Sequence, residues 1–379
     1  MLLTTEKLRI AYDEEVQNHT TPATLTDLPL SYEEITNEWL TAVICRNATP
    51  EAKVIAHKLG EVDDGNTSRR RIFLTYNSAG EAAGLPATVF CKSSCRFSTR
   101  ISVGIPGGIE AEVTFYKKLR SMLAIEAPQA IWAHWNPDNY NSIVMLEDIG
   151  EGTEFCTLQT NMTRERAQDQ MALLAHFHGQ FYAEDAQKHL TGLATWSEFF
   201  MKAASLGFEE FCGEGFSAAR AVIPPRLYSR AAKIWPATLK AIERNQSLPK
   251  TLLHGDVHLR NWYITSPGKM GLTDWQNTCR GHWAHDVSYT MATSISVEQR
   301  REMLPELLKF YIDELYRNGG PRVSYEQALE HYKYELFPAL AYWTVTLRPT
   351  PGMPAMQPAE ASLEMIHRIT HAIDDLDAL

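Results

Sequence analysis

The stretch Leu252-Leu253-His254-Gly255-Asp256-Val257-His258-Leu259-Arg260-Asn261-Trp262, followed by Leu272-Thr273-Asp274-Trp275, decides how the rest of the chain is read. Asp256 is followed by an amide, Asn261, five residues on, and by a second acid, Asp274, thirteen beyond that. This set meets the needs of Mg²⁺-nucleotide phosphoryl transfer. One carboxylate orients an attacking hydroxyl, while an amide oxygen and a second carboxylate hold the metal that neutralises phosphate charge. The local pattern agrees. Thr251-Leu252-Leu253 reads as a strand running into a loop at Gly255, where His254 can pack and hydrogen-bond to hold that loop. Trp262-Tyr263-Ile264 and Met270-to-Thr273 read as a hairpin turning at Ser266-Pro267-Gly268, with Asp274 ending the second strand. Such a hairpin brings Asn261 and Asp274 to one end, as a shared metal demands. Taken singly, each of the three is more simply a turn or cap residue; all three at this spacing after a strand point to a site.

Working outward, residues 1–30 are polar and read as an extended arm around a short helix. Ser31-Tyr32-Glu33-Glu34 reads as a capping box opening a helix to about Asn47, with Ile35, Trp39, Leu40 and Val43 at helical spacing. Val54-to-Leu59, Arg71-to-Tyr76 and Ala87-to-Lys92 form an antiparallel meander with turns at Asp63-Asp64-Gly65-Asn66 and Asn77-Ser78-Ala79-Gly80. A helix over Ile109–Leu123 and strands at Ala130-to-Trp135 and Ser142-to-Leu146 follow. After Gly150 the pattern turns helical: Thr163 is placed to cap a long amphipathic segment, and further helices fall near 193–211, 224–245, 283–295, 297–318, 324–346 and 358–377. The loop Arg348-to-Pro354 separates the last two.

Composition narrows the class. A chain of 379 residues suggests two domains or lobes, and 44% apolar with 22% charged residues is ordinary for a globular protein. The net charge of −10, from 46 acids against 36 bases, argues against non-specific nucleic-acid binding. The run Arg69-Arg70-Arg71 reads as a solvated strand end. Cys45, Cys91, Cys95, Cys156, Cys212 and Cys279 form no CxxC pair, which speaks against a zinc ribbon and fits free thiols in a reducing compartment. No secretory signal opens the chain and no run approaches roughly 18 apolar residues, so the expectation is a soluble, cytoplasmic protein with no membrane insertion.

A rival use of the same residues is metal-dependent hydrolysis. His254, Asp256 and His258, with His282 and His285, could form a dinuclear cluster. That chemistry would also want an upstream Asp-x-His and a downstream Asn-His, and neither occurs.

His254-Gly255-Asp256-x-His258-x-x-Asn261 followed by Asp274-Trp275 resembles the catalytic and metal loops of the aminoglycoside-phosphotransferase and choline-kinase-like group, small-molecule relatives of the protein kinases. The resemblance runs from Tyr32 to about residue 295. It implies an α+β, two-lobed protein-kinase-like fold. An N-terminal lobe over 1–148 would hold the lead-in helix, a five-stranded antiparallel sheet and one helix, and a larger, mainly helical C-terminal lobe would span 149–379. Ala87-to-Lys92 resembles the third strand of that fold, which makes Lys92 the residue for the α/β-phosphates. Glu110-to-Tyr116 resembles the helix that supplies its partner, Glu112 being the better match and Glu110 the fallback. Ile143-to-Asp148 resembles the strand and hinge whose backbone meets the adenine, which assigns Met145 and Glu147 to the nucleotide. Leu173-to-Gly179 resembles a buried helix under the catalytic loop, with His178 structural. Gly281-x-x-x-x-Asp286-Val287-Ser288-Tyr289 resembles the segment in which an aspartate, here Asp286, holds the catalytic loop; His254 and His258 support the site in the same way. The cofactors implied are ATP and Mg²⁺, with Asp256 as the catalytic residue and Asn261 and Asp274 on the metal.

Departures from the group are informative. The loop Gly60-to-Ser68, expected to be glycine-rich over the nucleotide, holds two glycines and three acids, so phosphate contact falls to backbone or hydroxyls near Asn66, Thr67 and Ser68. Trp275-Gln276 follows Asp274, which suggests a fixed metal aspartate. Too little chain separates Asp274 from Asp286 for a peptide-substrate platform.

Within the group, Glu112-x-x-Phe115-Tyr116, Met145-Leu146-Glu147-Asp148, His254-Gly255-Asp256-x-His258, Asp286-Val287-Ser288-Tyr289 and the lead-in Ile35-to-Leu40 most resemble the ecdysteroid-kinase-like branch. The partner expected is a small-molecule alcohol. Aromatic residues at Trp196, Phe199, Phe200, Phe208, Phe211, Tyr342 and Trp343 read first as core, and with the branch resemblance tilt towards an apolar alcohol: a steroid, terpenoid, aryl alcohol or hydroxyacyl thioester. The acidic surface keeps an aminoglycoside-type antibiotic as an alternative. A catalytically silent nucleotide-binding protein is the alternative of another class. The sequence does not say which oligomer forms.

Overall fold

A computed structural model describes residues 4–205, 207–349 and 356–379. Residues 350–354 of the expected loop before the last helix, and Met1–Leu3 of the N-terminus, lie outside the described residues. The chain divides into two compact units: residues up to Met122 with Pro128–Glu151, and Leu123–Ala127 with Gly152–Leu379.

The first unit is built on an antiparallel sheet of β1 (Val54–Leu59), β2 (Asp63–Asp64), β3 (Ser68–Tyr76), β4 (Thr88–Ser93), β5 (Ala130–Trp135) and β6 (Ser142–Glu147). Its order is β1-β3-β4-β6-β5, with the two-residue β2 added on β3. The period of two along β3 puts Ile72, Leu74 and Tyr76 inward and leaves Phe73 exposed. Those residues meet Trp39, Leu40 and Val43 of the helix Asn37–Ile44, and Val89, Cys91 and Met145 from the central strands, in one apolar core.

That helix starts later than the sequence reading has it. Ser31 makes no side-chain cap, and Tyr32–Glu34 form only a single 3-10 turn. The cap is Thr36, whose hydroxyl accepts from the Trp39 amide at 3.0 Å. The Glu34 carboxylate instead accepts from the Leu30 amide and pairs with His19, so it is not available to close a capping box. Two further features were not read from the sequence. Phe97–Gly104 forms helical turns, and the expected 109–123 helix runs as Gly108–Thr114 followed by a wider π-type turn over Phe115–Leu119.

The arginine run at the start of β3 is neutralised within this unit: Arg69 pairs with Asp63, Arg70 with Glu33 and Arg71 with Asp148. A patch whose charges are spent this way offers little field to a polyanion.

The second unit is mainly helical. Thr163 caps Arg164–Gln180 through its hydroxyl, and capping boxes at Thr195/Glu198, Ser296/Gln299 and Ser324/Gln327 open Trp196–Ala204, Val297–Arg317 and Tyr325–Leu347. Its strands are short. β7 (Thr153–Phe155), β9 (Trp262–Thr265) and β10 (Met270–Leu272) form one sheet, and β8 (Thr251–Leu253) pairs with β11 (Cys279–Gly281). The insertion Leu123–Ala127 belongs here because Leu272 N–H donates to the Glu126 carbonyl at 3.0 Å and the Tyr263 hydroxyl to its carboxylate at 2.8 Å. Among the described residues, no helix is long and apolar enough to cross a membrane. The six cysteines are free thiols, all but Cys95 buried.

Candidate active site

The loop after β8 begins with a backbone that only glycine fits well. Gly255 sits at φ 82°, and a Cβ there would lie 2.4 Å from the Asn277 carbonyl oxygen. The turn is held from beneath by Asp286, fully buried on the helix Ala284–Ser294: one carboxylate oxygen accepts from His254 N–H at 2.7 Å and the other from Gly255 N–H at 3.0 Å. Asp286 is itself held by His178 Nε2 at 3.1 Å, whose Nδ1 meets the Tyr311 hydroxyl at 2.8 Å. Burial opposes the Asp286 charge, but the His178 hydrogen bond and the neighbouring imidazoles keep the carboxyl below the usual range. Burial in turn pushes His178 down, so it is a neutral donor.

The two histidines flanking Asp256 have defined tautomers. His254 Nδ1 accepts from Asp256 N–H at 3.2 Å, so its Nε2 carries the proton and donates to the Thr273 carbonyl at 2.8 Å. His258 Nδ1 accepts from Arg260 N–H at 3.2 Å, leaving Nε2–H to face Asp256 Oδ2 at 3.8 Å. Burial lowers the pKa of both rings. The Asp256 side chain keeps partial exposure, 21%, amid these buried supports.

Asn261 and Asp274 do come to one end of the β9–β10 hairpin. The strands pair Trp262 with Leu272, and Thr273 N–H and Oγ–H both donate to the Asn261 carbonyl. The Asn261 amide nitrogen returns to the Asp256 carbonyl at 2.7 Å, which orients the side-chain oxygen away from that bond. Strand β10 stops at Leu272, two residues short of the acid, and Asp274 adopts a left-handed backbone at φ 62°, ψ 65°. That conformation is costly for a residue with a Cβ and is held by its surroundings. Trp275 supplies part of them: its indole N–H donates to the Leu272 carbonyl, and its fully buried ring packs edge-on against Phe177 and His254.

An amide oxygen and a carboxylate at one hairpin end are hard oxygen donors, suited to Mg²⁺. The dinuclear histidine cluster does not form. Both nitrogens of His254 are spent within the loop, His282 packs on Trp283 and His331, and His285 faces Glu335 and the Gly255 carbonyl. Among the described residues no three His, Cys, Asp or Glu are grouped to hold a metal.

In the other unit, Lys92 Nζ donates to Glu112 Oε1 at 2.9 Å, both buried, with Lys92 on β4 and Glu112 on the helix Gly108–Thr114. Glu110 points to solvent, which removes it as the fallback partner. The β2–β3 hairpin carries Asn66, Thr67 and Ser68. Ser68 donates its hydroxyl to Asp64 at 2.7 Å and its carbonyl accepts from Tyr32, while Thr67 is buried. The Ser68 hydroxyl is therefore engaged inside the hairpin. Two of the three acids of this loop are paired as well, Asp63 with Arg69 and Asp64 with Arg96. Met145 is a core residue in a central strand, paired to Cys91 on one side and Trp132 on the other, so its backbone is already used by the sheet. Glu147 ends that strand, its carboxylate accepting from Gln129 N–H at 2.8 Å. Backbone free of the sheet begins beyond it, at Asp148.

The family described as the phosphotransferase enzyme family (APH) matches residues 106–323, more than half of the chain. The chain belongs to that family. Residues 106–323 of this phosphotransferase span Glu112 and the whole 251–289 region described above. No curated protein sequence matches the chain. Among solved structures, it is similar to a microcompartment-associated aminopropanol kinase at 14% identity and a TM-score of 0.52, over 85% of this chain and 91% of that one. Choline kinase from Cryptosporidium parvum is similar at 11% identity and a TM-score of 0.51, over 89% and 96% of the two chains. Choline kinase from Streptococcus pneumoniae is similar at 11% identity and 0.50, over 90% and 98%. At these identities the likeness is one of fold, and it is the protein-kinase-like α+β fold.

Two residues of the candidate site were not singled out from sequence. The Tyr289 hydroxyl donates to Asp256 Oδ1 at 3.1 Å. Its signal was its spacing, three residues after Asp286 and hence on the same helix face. Glu335 lies 3.3 Å from His285 in the interior, and nothing local in a long helix marks it. The aromatic residues resolve into core and margin. Trp196, Phe200 and Phe208 are buried in one cluster, and Tyr342 sits partly buried against all three rings.

Proposed function

We propose that this phosphotransferase is an ATP-dependent kinase that phosphorylates a hydroxyl of a small, apolar organic molecule. The observation that carries the reading is the hydrogen-bonded circuit of Asp256, Asn261 and Thr273-Asp274, which ties a partly exposed carboxylate to a pair of hard oxygen donors. Asp256 would accept the proton of the acceptor hydroxyl. Asn261 and Asp274 would hold Mg²⁺, which when bound neutralises charge on the phosphates. Lys92, paired with Glu112, would seat the α/β-phosphates. Positioning and charge neutralisation are most of what such a transfer requires, so few groups suffice. Residues 1–148 would carry the nucleotide-phosphate contacts and 149–379 the catalytic and metal loops, with the backbone from Asp148 onward facing the adenine. The motifs at Glu112, Met145, His254 and Asp286 and the aromatic margin at Tyr342 support the ecdysteroid-kinase-like branch and an apolar acceptor.

The test is turnover of MgATP by the purified chain against steroid, terpenoid and aryl alcohols, hydroxyacyl thioesters and aminoglycosides, read as ADP formed. One of the apolar classes should be phosphorylated, and Asp256→Ala should abolish it. Transfer that survives Asp256→Ala would overturn the reading. ATP binding without turnover of any acceptor would favour a silent nucleotide-binding protein, and turnover confined to aminoglycosides would replace the apolar acceptor.

A further inference from the structure

We infer that Tyr289 is a positioning residue for Asp256: it donates its hydroxyl proton to one carboxylate oxygen and so presents the other to the acceptor. This rests on the kinase reading above, in which Asp256 is the group that meets the acceptor hydroxyl.

Three observations carry it. First, the donor is in place and inaccessible to competing partners. Tyr289 is 1% exposed, and its hydroxyl lies 3.1 Å from Asp256 Oδ1. Second, the other oxygen is left open. Asp256 Oδ2 faces His258 Nε2 at 3.8 Å, beyond hydrogen-bond length. Third, one helix controls both parts of the catalytic residue. Asp286 on Ala284–Ser294 fixes the backbone at His254 and Gly255, and Tyr289, one turn later, fixes the Asp256 side chain. An aspartate carboxylate turns about a broad terminal torsion, so a loop held only by its backbone would leave either oxygen in front.

The direction of the hydrogen bond follows from chemistry. Burial first, and the Asp256 charge second, hold the Tyr289 phenol well above its ordinary range, so it keeps its proton and donates. In the transfer, the acceptor oxygen bonds to the γ-phosphorus while its proton passes to Asp256 Oδ2. The bond from the γ-phosphorus to the β–γ bridging oxygen breaks, and its electron pair leaves on the nucleoside diphosphate. Tyr289 stays protonated throughout and steadies the carboxylate that must accept that proton.

The experiment is Tyr289→Phe, assayed with MgATP and the alcohol turned over in the acceptor screen, or with water as acceptor, read as phosphate release, if no alcohol is. Loss of a hydrogen bond to a charged group should lower kcat about ten- to a hundred-fold. KM for MgATP and the melting midpoint should not move. In an Asp256→Asn background the same change should alter the residual rate by less than about twofold, because the two groups act as a unit. A kcat within about twofold of the parent, or an equal loss in both backgrounds, would overturn the inference. Should Tyr289→Phe not fold, 3-fluorotyrosine at position 289 keeps the ring and the hydroxyl while making the phenol more acidic. It should shift the pH profile of kcat, and an unmoved profile would count against the proposal. The two readings fail separately: activity in Asp256→Ala defeats the kinase reading, whereas a dead Asp256→Ala beside a fully active Tyr289→Phe defeats only this one.

Discussion

His285 Nδ1 lies 3.3 Å from Glu335 Oε2 in the interior of the helical unit, and His285 Nε2 meets the Gly255 carbonyl at 3.3 Å. A titratable pair is thus placed directly behind the loop that carries Asp256. Burial opposes protonation of this imidazole, but Glu335 outweighs it and raises the pKa above the ordinary histidine value. The Trp196 ring stacks on it at 3.9 Å, and Asn245 holds the other Glu335 oxygen at 2.8 Å.

A pH dependence of stability follows. A histidine whose folded pKa is raised contributes stability that is complete below the unfolded value of about 6.5 and is lost as pH rises through the folded value. His178, His254 and His258 are pushed down by burial and act in the opposite sense, losing stability as pH falls. The difference between the parent and Glu335→Gln therefore isolates the pair. Melting curves should show it largest at acid pH and shrinking from near neutrality upward. Breaking a buried pair by removing one partner costs roughly 3–5 kcal/mol. A difference that grew with pH would refute the assignment.

Gly255→Ala should damage stability and activity together. The added methyl meets the Asn277 carbonyl at 2.4 Å, in a backbone region that alanine disfavours. A strained residue of this kind costs about 1–3 kcal/mol before the clash is counted. Urea unfolding would show the lost stability, and kcat should fall further than stability alone explains, because the amides of His254 and Gly255 lose their register on Asp286.

Lys92→Met should raise KM for MgATP and cut kcat, with Glu112→Gln a weaker copy of the same phenotype. Joined at 2.9 Å in a buried setting, the two should be non-additive, and the double variant should resemble Lys92→Met alone. Additive losses would mean that Glu112 serves the fold and not the lysine.

Asp274→Ala and Asn261→Ala should raise the Mg²⁺ concentration needed for half-maximal rate, Asp274→Ala the more strongly because it removes a charge. Titrating Mg²⁺ at fixed ATP measures this. An unchanged Mg²⁺ requirement in Asp274→Ala would remove that residue from the metal.

Tyr342→Phe addresses the acceptor. The Tyr342 hydroxyl is buried without a hydrogen-bond partner, and burial together with the Asp256 charge pushes its pKa well up. The variant should gain about 1 kcal/mol in melting experiments by removing an unsatisfied donor. It should change KM for the alcohol while leaving KM for MgATP alone.

Much of the site was legible because it is local. Thr251 to Asp274 holds a strand, a glycine turn and a hairpin whose ends are brought together by near-neighbour pairing, so the nearness of Asn261 and Asp274 follows from residue order and turn chemistry. Spacing also served for Thr163 as a cap and for the inward face of β3. It misled at Ser31, where a cap pattern of good local form lost its glutamate to His19 and the Leu30 amide. At Ser68 the sequence cannot show that Asp64 takes the hydroxyl.

The amino-acid sequence by itself determined the strand–loop–hairpin that carries Asp256, Asn261 and Asp274, and the alternation that builds the sheet. Only the tertiary structure decided that Glu112 and not Glu110 meets Lys92, that Arg71 is spent on Asp148, that Tyr289 holds Asp256, and that Glu335 faces His285. The physical reason is the range of the interactions. Backbone pairing and turn preferences act over a few residues, whereas the partner of a buried charge is chosen by desolvation, which binds together whatever polar groups the packed helices bring into contact.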